Sequence, residues 1–160
     1  MKKPDKPEKK RPRNAIKAVI IRGDKILVLR KEDSHGAYCV LPGGGQKSGE
    51  TLEQALQREC LEEIGVPVKV KALLCVRDYI RANHGDSNLS VYPHKVEFYF
   101  ACSLPKSAVP ANGKKMDPTQ LAPDWIRLSD LAKNNFYPKA LADWLNAEPS
   151  SRPLYLGDVN

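Results

Sequence analysis

A run of three glycines shortly before a capped helix constrains this chain more than any other feature. Gly43–Gly45 is followed by Thr51–Ile64, in which the first residue and Gln54 have the spacing of a capping box. Gly65 is a natural C-terminal cap, because glycine adopts the left-handed conformation that ends many helices. Glycine also lets the backbone approach a ligand closely. The pattern predicts a strand that leads into a glycine loop and then one well-defined helix.

Three glutamates occupy an unusual position on this helix. At about 100° per residue, Glu59 and Glu63 overlap the edge of the apolar stripe and Glu62 lies beside it. The stripe itself is formed by Leu52, Leu56, Cys60 and Ile64. Like charges three and four residues apart repel each other by a few tenths of a kcal/mol per pair, and by more where they are half-buried. A hard divalent cation such as Mg²⁺ or Mn²⁺ would relieve this repulsion. An ion-paired or solvated helix face is the alternative.

The glycine loop and the glutamates together fit one long pattern. Gly44, Glu50 and residues 58–66 match GX5EX7REUXEEXGU at every fixed position, with Cys60 and Val66 at the two apolar positions U. This segment, Gly44–Val66, resembles the Nudix box, and the wider likeness extends over most of residues 14–146. The resemblance implies an α/β fold of the Nudix type, an α/β/α sandwich with a mixed β-sheet.

The resemblance also implies a chemistry. It implies Mg²⁺-dependent (or Mn²⁺-dependent) hydrolysis of a nucleoside diphosphate linked to another moiety, by attack of water at phosphorus. Glu59, Glu62 and Glu63 correspond to metal-binding carboxylates, and the Gly43 carbonyl to a further metal ligand. Arg58 corresponds to the group that orients a box carboxylate, and it completes the expected catalytic set. Glu50 corresponds to a structural or supporting acid.

The remaining chain predicts strands on both sides of this helix. Alternating and apolar runs predict a hairpin, then further strands, two late helices and an irregular tail; this order indicates a mixed sheet covered by helices. The predicted strands are Ala15–Ile21, Lys25–Leu29, Tyr38–Leu41, Val68–Tyr79 (one or two strands), Val91–Cys102 and Trp125–Leu128. The predicted helices after the box are Leu128–Lys133 and Pro138–Asn146. We divide the chain into an arm (1–13), a hydrolase domain (14–148) and a C-terminal tail (149–160).

Three residues outside the box are candidates for substrate binding. Arg30 is a candidate for meeting phosphate charge, and Tyr38 for stacking on a base. Glu97 is a candidate acid from outside the box. It lies on a strand in which Val96, Phe98 and Phe100 point one way, so we expect the opposite side, which carries Glu97, to be less buried. Ordinary packing or ion pairing remains the alternative for each of these side chains.

Charge is concentrated at the N-terminus. Residues 1–13 contain seven Lys or Arg and two Asp or Glu, and so hold +5 of the net charge of +7. With no apolar periodicity, this arm is predicted to be disordered. Small nucleotides are the expected partners. Binding of nucleic acid through the arm is left open as part of an alternative function at RNA 5′ ends, and so is a homodimer. A non-catalytic nucleotide sensor is a further alternative, which the complete box disfavours.

Apolar runs and cysteines indicate the compartment. No apolar run is long enough for a secretory or transmembrane segment, so no membrane partner is expected. Four cysteines form no CxxC pair and lie within apolar runs. Buried free thiols in a reducing cytoplasm are therefore predicted.

Overall fold

The computed structural model describes residues 11–85 and 92–160. The first ten residues of the predicted arm, and residues 86–91, which include the first residue of the predicted strand Val91–Cys102, lie outside the described residues. The elements are β1 (Arg13–Arg22), β2 (Lys25–Asp33), β3 (Gly36–Val40), β4 (Gly43–Gly45), α1 (Leu52–Ile64), β5 (Lys69–Ile80), β6 (His94–Ser103), β7 (Gln120–Arg127), α2 (Lys139–Asn146) and β8 (Tyr155–Asp158).

These strands form one mixed sheet. Its main order is β3-β2-β1-β6-β5-β8, with β4 paired to β1 and β7 paired to β2. The β1–β6 and β5–β8 pairs are parallel and the others antiparallel. The hairpin strands β1 and β2 pair only next to their turn, at Ile21–Ile26 and Arg22–Lys25. They then diverge, and the glycine strand β4 pairs with β1 at residues 15–17.

The sheet lies between two helical layers, as predicted. On one face, Leu56, Cys60 and Ile64 of α1 are fully buried against Ile16, Ile20 and other side chains of the sheet. On the other face, Leu141, Trp144 and Leu145 of α2 pack against a second cluster that includes Val19 and Tyr99. Burial of these apolar side chains, each contributing about 1.5–3 kcal/mol, holds the sandwich together.

The predicted signals for the ends of α1 are confirmed. Gln54 N donates to Thr51 Oγ1 over 3.1 Å, and Thr51 N donates to Gln54 Oε1 over 2.9 Å, which completes the capping box. Gly65 has φ 69°, the left-handed conformation expected of a C-cap. The helix therefore begins and ends where local chemistry predicts, and this fixes the register of its glutamates.

Several other boundaries differ from the predictions. The irregular tail was a wrong prediction, because residues 155–158 form β8 beside β5; Val76 N donates to Leu154 O, and Ile80 N to the Asp158 carboxylate. These bonds are long-range and leave no local sequence pattern. The predicted helix 128–133 is instead two separate 3₁₀ turns. Strand β7 is longer than predicted, since it pairs with β2 along its length.

The described cysteines agree with the expectation of buried free thiols. All four cysteines are free and buried. Among the described residues, none of the helices is both long and apolar enough to cross a bilayer.

Candidate active site

A large cleft opens beside the glycine strand. Its volume is about 1230 Å³, and its lining includes Gly43–Gly45 together with Glu59 and Glu63 of α1. The floor is formed by side chains of β5 and β6, among them Arg77 and Glu97. Further along, the cleft is lined by Tyr38, Tyr137 and Asp117. The box helix and the glycine loop therefore share one cavity with the middle of the sheet.

Glu63 is fixed directly to the glycine strand. Its side chain is only 7% exposed, and its Oε2 accepts a hydrogen bond of 2.8 Å from Gly43 N. Burial raises the pKa of Glu63, while the Lys17 ammonium and the Gly43 amide oppose that rise. Lys17 Nζ in turn donates to the Gly43 carbonyl over 2.9 Å. The amide and the carbonyl of one glycine thus engage a carboxylate and a cation.

Arg58 binds the other box acids. Its Nε and Nη2 donate to the two oxygens of Glu50 over 2.5 and 2.9 Å, and Nη2 also donates to the Gly45 carbonyl. Its Nη1 donates to Glu59 over 2.7 Å and lies 3.5 Å from Glu62. The hydrogen bonds from Arg58 and from the Lys47 amide lower the pKa of Glu50 to about 2. Arg58 therefore joins the loop to the helix.

The donor set suits a hard divalent cation. Glu59, Glu63 and the Gly43 carbonyl offer only oxygen, which Mg²⁺ prefers. Gly44 makes room for one of them, since a Cβ there would lie 2.4 Å from the carboxyl carbon of Glu59. Within residues 11–85 and 92–160, no group of three or more acidic, histidine or cysteine side chains is arranged so that it could hold a metal ion. Arg58 and Lys17 are instead the cations paired with these oxygens.

The expectation that the Glu97 side of β6 is the less buried one was wrong. Glu97 and Tyr99 are 6% and 1% exposed, whereas Val96, Phe98 and Phe100 are only half-buried. The Glu97 carboxylate accepts hydrogen bonds of 2.7 Å from Arg77 and 2.5 Å from the Tyr99 hydroxyl. Burial alone would raise the pKa of Glu97, but Arg77, Lys17 and the Tyr99 hydroxyl outweigh it and hold the pKa at about 2. The buried face of β6 is therefore polar at this point.

Of the other two substrate-binding candidates, Tyr38 lies in the cleft and Arg30 does not. Tyr38 lines the cleft, where its ring lies 6.4 Å from that of Tyr137 in an edge-to-face arrangement. Arg30 does not line it; its guanidinium binds Asp124 over 2.7 Å and Asn134 over 3.2 Å. Adjacent strand residues point to opposite faces, and it is the next residue, Lys31, that lines the cleft.

Sequence reasoning missed three basic side chains in the floor of the cleft. Lys17, Lys95 and Arg13 all line it, yet they come from two strands that are distant in the sequence. Only the spacing of two residues between Lys95 and Glu97 is a local signal, since it places two charged side chains on one face of a strand. When the strand register is not known, the same spacing is also typical of a strand whose charged face is exposed to solvent.

Comparisons with known proteins agree with this geometry. A family model described as NUDIX domain matches residues 11–145. The "ADP-ribose pyrophosphatase" of Methanocaldococcus jannaschii is 41% identical over 66 residues, which cover 41% of this chain and only 39% of that protein. The "Nucleoside triphosphatase NudI" of Enterobacter sp. (strain 638) is 25% identical over 126 residues, covering 76% of this chain and 89% of that protein.

A solved structure shows the same similarity in three dimensions. The crystal structure of a MutT NUDIX hydrolase from Burkholderia pseudomallei has a TM-score of 0.64 and 30% sequence identity to this chain. The match covers 83% of this chain and 96% of that one. The matched family model, which spans residues 11–145, includes both the helix that carries the glutamates and the strands that carry the basic floor.

We predict that Glu97→Gln destabilises the protein at neutral pH by about 3–5 kcal/mol, because it leaves Arg77 buried without its anionic partner. A lowered carboxyl pKa contributes stability above the unfolded value, near 4.3, and this contribution is lost as pH falls towards about 2. The difference between variant and wild type should therefore shrink between about pH 4.5 and pH 2. Urea unfolding at pH 7 and pH 3 measures it.

The matched control is Glu32→Gln, on an exposed position of β2, which should change stability by less than about 0.5 kcal/mol. Equal stability of Glu97→Gln and wild type at pH 7 would contradict the buried ion pair.

Proposed function

The chain belongs to the Nudix hydrolase family, and we propose that it is a divalent-metal-dependent pyrophosphohydrolase of nucleoside diphosphate derivatives. The proposal covers substrates of the nucleoside triphosphate, nucleotide sugar or ADP-ribose type. The observation that carries it is the meeting of Glu59, Glu63 and the Gly43 backbone in one cleft. The site thus has acidic oxygens and a cationic floor in the same cavity, as a metal-bound, negatively charged substrate requires.

The relatives and the size of the cleft support this class. Two of the relatives that this chain matches are named for an ADP-ribose pyrophosphatase and a nucleoside triphosphatase. A volume of about 1230 Å³ exceeds the roughly 300–1000 Å³ of common ligand pockets. There is therefore room for a nucleoside diphosphate and a second moiety.

The proposed metal ligands are Glu59, Glu62, Glu63 and the Gly43 carbonyl. Bound Mg²⁺ or Mn²⁺ supplies neutralisation of the pyrophosphate charge and lowers the pKa of a water. Arg58 orients Glu59 against Gly44, and the Gly43 amide orients Glu63. As the water attacks phosphorus, it transfers a proton to a box glutamate; the bridging P–O bond of the pyrophosphate breaks, and the other phosphate-bearing fragment leaves.

Glu97 has a different part in this proposal. A carboxylate with a pKa of about 2 that already accepts bonds from Arg77 and Tyr99 is a weak proton acceptor near pH 7. We therefore assign Glu97 to the positioning of Arg77 in the floor of the cleft, and not to proton transfer. Tyr38 remains our candidate for contact with a base. Arg30, paired with Asp124, no longer is.

The compartment we propose is the cytoplasm. Four buried free thiols are typical of a reducing environment, in which disulfides rarely form.

One observation favours a second candidate, hydrolysis at the 5′ end of a nucleic acid. A shallow hollow of about 460 Å³ is lined by Arg11, Arg13, Lys47 and Tyr92, and Arg13 also lines the main cleft. Arg11 and Arg13 are the last two basic residues of the predicted arm, so the hollow lies where the arm meets β1. Phosphate chains bind such basic surfaces in a salt-dependent way.

We predict that hydrolysis ceases in excess EDTA and returns on addition of Mg²⁺ or Mn²⁺, because the carboxylates alone cannot neutralise the substrate. A panel of nucleoside triphosphates, nucleotide sugars and ADP-ribose is tested for phosphate and pyrophosphate release. Turnover that persists in EDTA would refute the metal dependence, and a panel with no substrate would favour a nucleotide sensor.

Glu62→Gln and Glu63→Gln should each lower kcat by about 10²-fold or more, on the scale of losing one electrostatic stabiliser. Each change keeps the shape of the side chain, so the fold should survive and gain stability from relieved repulsion. The control is Glu53→Gln in the first turn of α1, which is exposed and should keep normal turnover. Normal rates in both test variants would remove these glutamates from the site.

Deleting residues 1–12 separates the two candidate functions. Because β1 begins at Arg13, we expect an unchanged melting temperature and unchanged hydrolysis of small nucleotides. With a 5′-phosphorylated oligonucleotide, loss of the arm should weaken binding and flatten its dependence on salt. If binding of the oligonucleotide does not change, the second candidate is refuted.

A further inference from the structure

The floor of the cleft carries an ordered set of charges. Strands β1, β6 and β5 lie side by side, and Arg13 and Tyr79 are both register partners of Lys95. Two residues further along β6, Ala15 and Arg77 are the partners of Glu97. Since residues two apart share a face of a strand, these side chains form adjacent rows on one face of the sheet.

The two rows differ in their charge balance. In the second row, Arg77 is matched by Glu97 at 2.7 Å. In the first row, Arg13 and Lys95 are like-charged neighbours, and within the described residues neither forms an ion pair with a carboxylate. Each of them lies near an aromatic ring instead: Arg13 is 4.2 Å from the centre of the Tyr92 ring, and Lys95 is 6.0 Å from that of Tyr79.

This arrangement is unfavourable without an anion. Like charges directly opposite each other destabilise a sheet, and both side chains are at least half-buried. Burial lowers the pKa of Lys95; Glu97 opposes this, and Lys17, Arg77 and Arg13 lower the pKa further. Lys95 therefore lies inside a cavity with three other cations and one carboxylate near it, an arrangement that favours a bound anion.

Arg13 also connects this row to the glycine strand. A Cβ at Gly45 would lie 2.0 Å from Arg13 Nη2, so the guanidinium occupies the space that a side chain there would need. Gly44, the next glycine, makes the same room for Glu59. An anion bound at Arg13 would thus lie close to the carboxylates of α1.

We propose that Arg13 and Lys95 form a binding site for a phosphate group of the substrate, next to the glycine strand. This inference rests on the proposed function, because it assigns one end of the substrate of the same cleft. The planar guanidinium binds phosphate through two parallel hydrogen bonds, and the ammonium adds a point charge. In this arrangement, Arg13 and Lys95 bind a phosphate group of the substrate that is not held at the acidic residues of α1.

Binding of inorganic pyrophosphate to the full chain in EDTA tests the site without catalysis. Titration calorimetry compares wild type with Arg13→Gln, Lys95→Gln and the control Lys71→Gln, an exposed position of β5. We expect Arg13→Gln and Lys95→Gln to weaken binding about tenfold or more, the scale of a lost charge-assisted bond, and Lys71→Gln to leave it unchanged. Wild-type affinity in both test variants, or no binding by wild type at millimolar pyrophosphate, overturns the proposal.

A second readout separates binding from a structural role. Without an anion, Lys95→Gln should raise the melting temperature because it removes repulsion from Arg13, and Lys95→Arg should restore pyrophosphate affinity. A lower melting temperature together with failed rescue by Lys95→Arg would make Lys95 a structural residue and overturn the proposal.

The test also separates this site from the proposed function. Pyrophosphate binding that depends on Arg13 and Lys95, in a protein that hydrolyses no nucleotide with Mg²⁺, would support the phosphate site while refuting the hydrolase. Normal hydrolysis, together with pyrophosphate binding that is unchanged in both variants, would support the hydrolase and overturn the phosphate site.

Discussion

The fork of hydrogen bonds from Arg58 is the interaction on which the site depends. One guanidinium binds Glu50, Glu59 and the Gly45 carbonyl, and so ties the helix to the strand of glycines in front of it. Lysine could not make these bonds together, because it has no planar arrangement of donors. With the loop held in this way, the Gly43 amide is in place for Glu63. The position of each carboxylate thus depends on the close approach of the glycine strand to the helix, which only residues without a side chain allow.

The two sides of the cleft have opposite charge, and this opposition gives the cavity its chemistry. Glu59 and Glu63 are acidic, whereas Arg13, Lys17 and Lys95 are basic, and all of them line the same space. Some of this charge is compensated within the protein, because Lys17 contacts the Gly43 carbonyl and Arg58 pairs with Glu59. Among the described residues, the acidic and basic side chains of the cleft do not otherwise compensate each other fully. A ligand that combines a divalent cation with phosphate groups would satisfy both sets at once. The protein therefore stores unfavourable electrostatics that such a ligand relieves.

Local signals in the sequence predicted the part of the site that lies on one helix. The capping box, the glycine cap and the apolar stripe of α1 involve residues at most four apart, and all were confirmed. The hairpin at Gly23 and helix α2 were predicted from equally local patterns. By contrast, strand β8 depends on bonds to β5 from nearly 80 residues away in the sequence. The choice between Arg30 and Lys31 depended in the same way on which face of β2 meets the cleft.

The error on β6 has a cause that follows from the path of this strand. Tyr99 belongs to the apolar cluster under α2 and also borders the cleft, which Glu97 and Lys95, two and four residues before it on the same face, line as well. One face of the strand thus passes from the core into the cavity, and its side chains change from aromatic to charged without leaving that face. A hydrophobic alternation rule assumes one environment along each face, so it assigned the inward side to Val96, Phe98 and Phe100. On the buried face of β6, charged residues that line the cleft therefore take the place of apolar residues that would pack in the core.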